Sequence, residues 1–85
     1  MRATGIVGLD LHGKNQYQAR IAIATTLRRA GVGVYRVRII HGFNSGTALR
    51  ALVRQEFAAH PKVLRIEAGT NAGVTELVLR EWSGS

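Results

Sequence analysis

Apolar residues fall at two different periods along this chain, and the switches between them divide it into six elements. From Ile6 to His12 they alternate, with Val7, Leu9 and Leu11 on one side and Gly8, Asp10 and His12 on the other, as in a half-buried strand. Gly13 breaks that run. From about Asn15 to Ala30 the spacing becomes helical. Ala19, Ala22, Ile23, Thr26, Leu27 and Ala30 form a buried stripe, Arg20, Arg28 and Arg29 lie off it, and Gly31 and Gly33 end the helix. Alternation returns from Val34 to Ile40, with Tyr35, Val37 and Ile39 against Arg36 and Arg38.

The loop His41-Gly42-Phe43-Asn44-Ser45-Gly46 then leads into a second helix, with Asn44 or Ser45 as its expected cap. Ala48, Leu49, Leu52, Val53, Phe57 and Ala58 make its expected buried side; Arg50 and Arg54, four apart, share another face. Pro61 stops the helix after His60. A third strand is expected over Val63 to Glu67, with Leu64 and Ile66 inward. A turn follows at residues 69–73, then a fourth strand from Val74 to Trp82 with Leu77 and Leu79 inward.

The last two strands are close enough to form an antiparallel hairpin, whereas the earlier connections each carry a helix, as parallel crossovers require. Right-handed crossovers place both helices on one face. The expected fold is an α/β two-layer sandwich, a mixed four-stranded sheet with two helices on one face, in the order β-α-β-α-β-β. One domain is expected over residues 1–85, with its core at about 6–82 and a loose tail at 83–85.

Composition narrows the function. The chain has no cysteine, so neither disulfides nor a thiolate zinc site can staple it. No apolar stretch is long enough to span a membrane, and the N-terminus lacks a signal-peptide core, so a cytoplasmic location is expected. The net charge is +7 and almost all the excess is arginine; Lys14 and Lys62 are the only lysines. An arginine fork grips phosphate, so the expected partner is nucleic acid, DNA or RNA, including the RNA of a ribosome. On the other sheet face Arg36, Arg38, Arg65, Glu67, Glu76 and Arg80 are expected to form a solvated surface, some of them paired across strands; the alternative is a dedicated binding face.

Two strands end at a histidine followed by a glycine, at Asp10-Leu11-His12-Gly13 and at His41-Gly42. Asp10 is the only aspartate, and its Cα lies about 6.5–7 Å from that of His12 on one strand. If the strands are neighbours, Asp10, His12 and His41 gather at one rim as candidate catalytic groups. A carboxylate beside an imidazole suits general acid and base work on a phosphodiester. The alternative is that Asp10 caps the following segment and His12 merely ends the strand. The same three side chains could hold a divalent ion, magnesium or manganese, with water and phosphate completing its shell. The loop with Gly42, Asn44, Ser45, Gly46 and Thr47, together with Gly13, Arg50 and Arg54, is the candidate phosphate cradle. Its glycine spacing matches neither a Walker loop nor a dinucleotide fingerprint. Phe43 stacks on a base or plugs the core below the loop.

Leu9-Asp10-Leu11-His12-Gly13, Val37-Arg38-Ile39-Ile40-His41-Gly42, Ala48-Leu49-Arg50, His60-Pro61-Lys62-Val63 and Gly73-Val74-Thr75, in this order, resemble the Smr (small MutS-related) domain family over roughly Gly8 to Glu81. The resemblance implies a fold similar to the C-terminal domain of translation initiation factor three. It also implies a DNA-nicking or RNA-cleaving endonuclease, or a nucleic-acid or ribosome-binding module. By position, Asp10 and His12 match the family's Asp-Leu-His signature, and His41, Gly42 and Gly46 its His-Gly-x-Gly-x-Gly loop. Asn44 departs from the usual middle glycine, and Thr47 is an extra residue before Ala48. Asparagine tolerates left-handed backbone better than most residues. The expected function is therefore nucleic-acid binding with endonuclease activity. The alternative is a non-catalytic adaptor for RNA or the ribosome. A stand-alone member of the family is expected, with a monomer compatible with its size.

Overall fold

All six elements form in the expected order. In a computed structural model, which describes residues 5–42 and 46–81 (Gly46 and Thr47 by backbone alone), they are β1 (Ile6–Asp10), α1 (Gln16–Arg29), β2 (Arg36–Ile40), α2 (Gly46–Phe57), β3 (Arg65–Ala68) and β4 (Val74–Val78). The sheet order is β1-β2-β4-β3. β1 and β2 are parallel, and β4 runs antiparallel to both β2 and β3. Asp10 faces Ile40, and Ile40 faces Val74. The ends of the two parallel strands and the start of β4 therefore share one rim, where both helices also begin.

Local chemistry explains the helix limits. Asn15 caps α1: its side chain accepts the Gln18 N–H at 2.8 Å, while the Gln18 side chain accepts the Asn15 N–H at 3.0 Å. This reciprocal box satisfies two amides that would otherwise lack partners. At the other end, Lys62 Nζ donates to the carbonyls of Leu27 (2.8 Å), Ala30 (3.2 Å) and Arg28 (3.3 Å), placing a cation against the negative end of the helix dipole.

The core lies between sheet and helices. Val37, Ile39 and Leu77 of the sheet meet Ala19, Ile23 and Leu27 of α1 and Leu49, Leu52, Val53 and Phe57 of α2. Arg20 and Glu56 tie the helices together across the surface, with a closest approach of 2.5 Å. Among the described residues the other sheet face has no helix. There Glu76 is buried between Arg36 and Arg38 (2.8 Å to the latter), while Arg65 joins Glu67 (2.7 Å) to Glu81 (2.6 Å). Arg80 instead donates to the Val34 carbonyl.

Four expectations are corrected. Ala48 and Ala58 are exposed, because the stripe of α2 narrows to Leu49, Leu52, Val53 and Phe57. Leu64 is exposed and Val63, one residue earlier, takes the buried place, so strand alternation starts only at Arg65. β1 ends at Asp10 rather than His12. β4 ends at Val78, well before Trp82. The expected cap at Asn44 or Ser45, the place of Phe43 and of Trp82, and the tail at 83–85 lie outside the described residues.

Candidate functional site

Beyond β1 the chain makes one more sheet-like bond, Leu11 N–H to Ile40 O at 2.9 Å, and then turns. The Lys14 N–H closes the turn on Leu11 O at 3.0 Å, with Gly13 at φ +75, a backbone that side-chain-bearing residues rarely adopt. Asp10 Oδ1 accepts the His12 main-chain N–H at 2.8 Å. The carboxylate thus fixes the turn that carries His12 and leaves the His12 side chain exposed. The structure places this acid on the histidine's backbone, not on its imidazole.

His41 has the opposite environment. It continues the inward face of Val37 and Ile39 and is only 5% exposed. Its Nδ1 lies 3.1 Å from the Gly42 carbonyl and its Nε2 2.8 Å from Thr75 Oγ1. A carbonyl can only accept, so in the neutral ring Nδ1 carries the hydrogen and Nε2 accepts the Thr75 hydroxyl. The His41 and Gly42 main-chain N–H groups both donate to Gly73 O at 3.0 Å. The Gly42 amide is therefore turned to the β3–β4 turn rather than to an open anion seat.

Asp10, His12, His41, Gly42 and Ile40 nevertheless line one cleft of about 170 Å³ at the strand tips. Two larger grooves open on the same rim. One, about 400 Å³, is lined by His12, Gly13, Lys14, Gln18, Ile21 and Ala22. The other, about 320 Å³, runs between Arg50 and Arg54 of α2 and the turn leading into Val74. Arg50 and Arg54 thus flank the cleft from the far side of the turn. Gly46 opens α2; Asn44 and Ser45 lie outside the described residues, as does the Thr47 side chain.

The electrostatics separate rim from sheet. Hydrogen bonds from Arg20 hold Glu56 below the usual carboxylate range. Arg65, with Arg36, does the same for Glu67, and Arg65 does so for Glu81. For Glu76, burial pushes upward, but the bonds from Arg36 and Arg38 outweigh it and the net direction is down. All four glutamates are consumed by four arginines. The net +7 is therefore carried by the other eight basic residues against Asp10 alone. Three of those eight, Lys14, Arg50 and Arg54, line the rim grooves.

Among the described residues, no three His, Cys, Asp or Glu side chains stand close enough to hold a metal ion. His41 has both ring nitrogens engaged, and Asp10 Oδ1 holds a main-chain amide. The set does not fit a resident ion. Thr75, Gly73 and Lys14 are site residues that sequence reasoning missed. Thr75 was legible as the polar member of the inward face of Leu77, the face that Ile39 and His41 share on the neighbouring strand.

A mixed four-stranded sheet backed by two helices, with its polar cleft at the tips of parallel strands, defines a small α/β domain that presents its site at a sheet's carboxyl edge. Within that class, the sequence model of the Smr domain matches residues 9–80, and the chain belongs to the Smr domain family. It is similar in structure to the Smr domain of Thermus thermophilus MutS2, with a TM-score of 0.77 and 26% identity over 88% of this chain and 99% of that one. Comparison with curated proteins gives no match. Smr domains bind nucleic acids, and some members are nicking endonucleases. Among the described residues no helix is long and apolar enough to cross a membrane.

Proposed function

We propose that this domain binds nucleic acid at the strand-tip rim and cleaves a phosphodiester there, with His12 moving the proton. The carrying observation is that His12 is exposed in a cleft with Asp10 and His41, on a rim whose other charged groove residues are cations. An imidazole can take a proton from the attacking hydroxyl and return one to the leaving oxygen. Asp10 serves by fixing the turn under His12. His41 holds the wall of the cleft through Thr75. Arg50, Arg54 and Lys14 would hold flanking phosphates. A magnesium or manganese ion would have to draw most of its shell from substrate phosphate and water.

A binding-only adaptor for RNA, including ribosomal RNA, is the second reading. It is favoured by the engagement of His41, which leaves a single exposed imidazole in the cleft. Incubation with supercoiled plasmid and labelled RNA, with magnesium, manganese or chelator, separates the two. Cleavage by the parent, abolished in His12→Ala and cut at least about tenfold in Asp10→Ala with binding retained, supports the enzyme. Equal cleavage by both variants overturns this site. Salt-sensitive binding with no product under any condition assigns the adaptor role.

A further inference from the structure

The exposed side of α1 carries a feature that the strand-tip chemistry does not use. Lys14, Tyr17, Ile21, Ala24 and Arg28 recur at helical spacing and are all exposed, Tyr17 by 68% and Ile21 by 48%. An aromatic and an aliphatic residue are thus held in water between a lysine and an arginine. α1 contains no acidic residue. The groove of about 400 Å³ leads from this stripe to the site, since Ile21 and Gln18 line it together with Lys14 and His12. The Gln18 amide in the first turn is already taken by Asn15, and the cationic contact there is the Lys14 ammonium.

We infer that this stripe is a stacking subsite for an unpaired base of the bound nucleic acid, with the base on Tyr17 and Ile21 and the adjoining phosphate on Lys14. The inference rests on the nucleic-acid reading above and specifies its substrate as single-stranded beside the scissile position. Three observations favour a nucleotide over a peptide as the occupant. The charged residues of the stripe itself, Lys14 and Arg28, are both positive, and α1 carries no carboxylate. The groove is continuous with the cleft where His12 stands. The stripe's large apolar residues are one tyrosine and one isoleucine, which suits a base and is small for a protein interface. In a duplex both base faces are already stacked, so a tyrosine ring has nothing to accept, whereas a single strand offers a free face.

Fluorescence anisotropy with a short fluorescein-labelled oligothymidylate and a blunt duplex of equal length tests this on the full chain. Tyr17→Ala keeps helix propensity and removes an exposed ring, so the fold survives. It should weaken oligothymidylate binding about tenfold and leave duplex binding unchanged. Tyr17→Phe should bind like the parent, because the ring and not the hydroxyl makes the contact. Lys14→Ala should weaken both ligands and lower the salt dependence of each. Parent-like binding of both ligands by Tyr17→Ala, an equal loss for both, or a Phe variant as weak as the Ala variant overturns the stacking subsite while leaving nucleic-acid binding intact. A parent that binds neither ligand overturns the nucleic-acid reading itself.

Discussion

Thr75→Val tests the fixed, buried state of His41. The Thr75 side chain is fully buried, and its hydroxyl makes the 2.8 Å bond to His41 Nε2. Valine keeps the shape, so neither a cavity nor a backbone change enters. What changes is that an imidazole nitrogen in a ring only 5% exposed loses its partner. Leaving a buried acceptor unsatisfied costs about 1–3 kcal/mol. For a domain of this size each kcal/mol lowers Tm by about 4–8 °C, so a fall of about 4–24 °C is expected. Thermal unfolding by circular dichroism and urea unfolding at unchanged m value measure it. A cycle with His41→Gln isolates the pair, and a coupling of about 1 kcal/mol is expected if the hydroxyl acts through His41. A Thr75→Val protein within about 0.5 kcal/mol of the parent would refute the reasoning. Nε2 would then be open to water in the cleft, and His41 would return as a candidate proton carrier beside His12.

Two further outcomes follow from the charges. Glu76 titrates below the usual carboxylate range in the fold, so its contribution is fully present above the unfolded value and fades as pH falls through the folded one. Urea midpoints measured below about pH 4.5 should decline less steeply in Glu76→Gln than in the parent, and an identical slope would contradict the ion-paired Glu76. Arg50→Ala removes a rim cation with no ion pair among the described residues, so stability should stay within about 0.5 kcal/mol. The slope of log K against log salt for nucleic acid should fall by about one, and an unchanged slope would remove Arg50 from the interface.

The fold was legible because its signal is periodic. Every element appears where the apolar spacing changes, and the β1–β2 pairing brings the two His-Gly strings together as expected. The ends of the elements were not legible, since a turn at Leu11–Lys14 and a shift from Leu64 to Val63 depend on hydrogen bonds that alternation does not report. The site was legible as a gathering of residues but not as a set of roles. Asp10 and His12 share the outward parity of β1, whereas His41 shares the inward parity of Val37 and Ile39, and that parity was already in the sequence. Which atom of His12 the Asp10 carboxylate would take was not, because the main-chain amide two residues on competes with the ring for it.

The charge partition carries the functional reading further than the motif does. A sheet face bearing Arg36, Arg38 and Arg65 looks like a nucleic-acid platform until its partners are counted. Glu67, Glu76 and Glu81 then cancel it, with Glu76 buried between two of the arginines. A phosphate arriving there would have to displace charge-assisted bonds already made and would meet the glutamates' own repulsion. Lys14, Arg50 and Arg54 impose no such cost, since their grooves contain no glutamate. Under the proposed function, the backbone of a bound strand would be directed to the rim where both helices begin. His12 stands in two of the three grooves on that rim. Its exposure, rather than the overall basicity of the chain, is what makes cleavage the first outcome to measure.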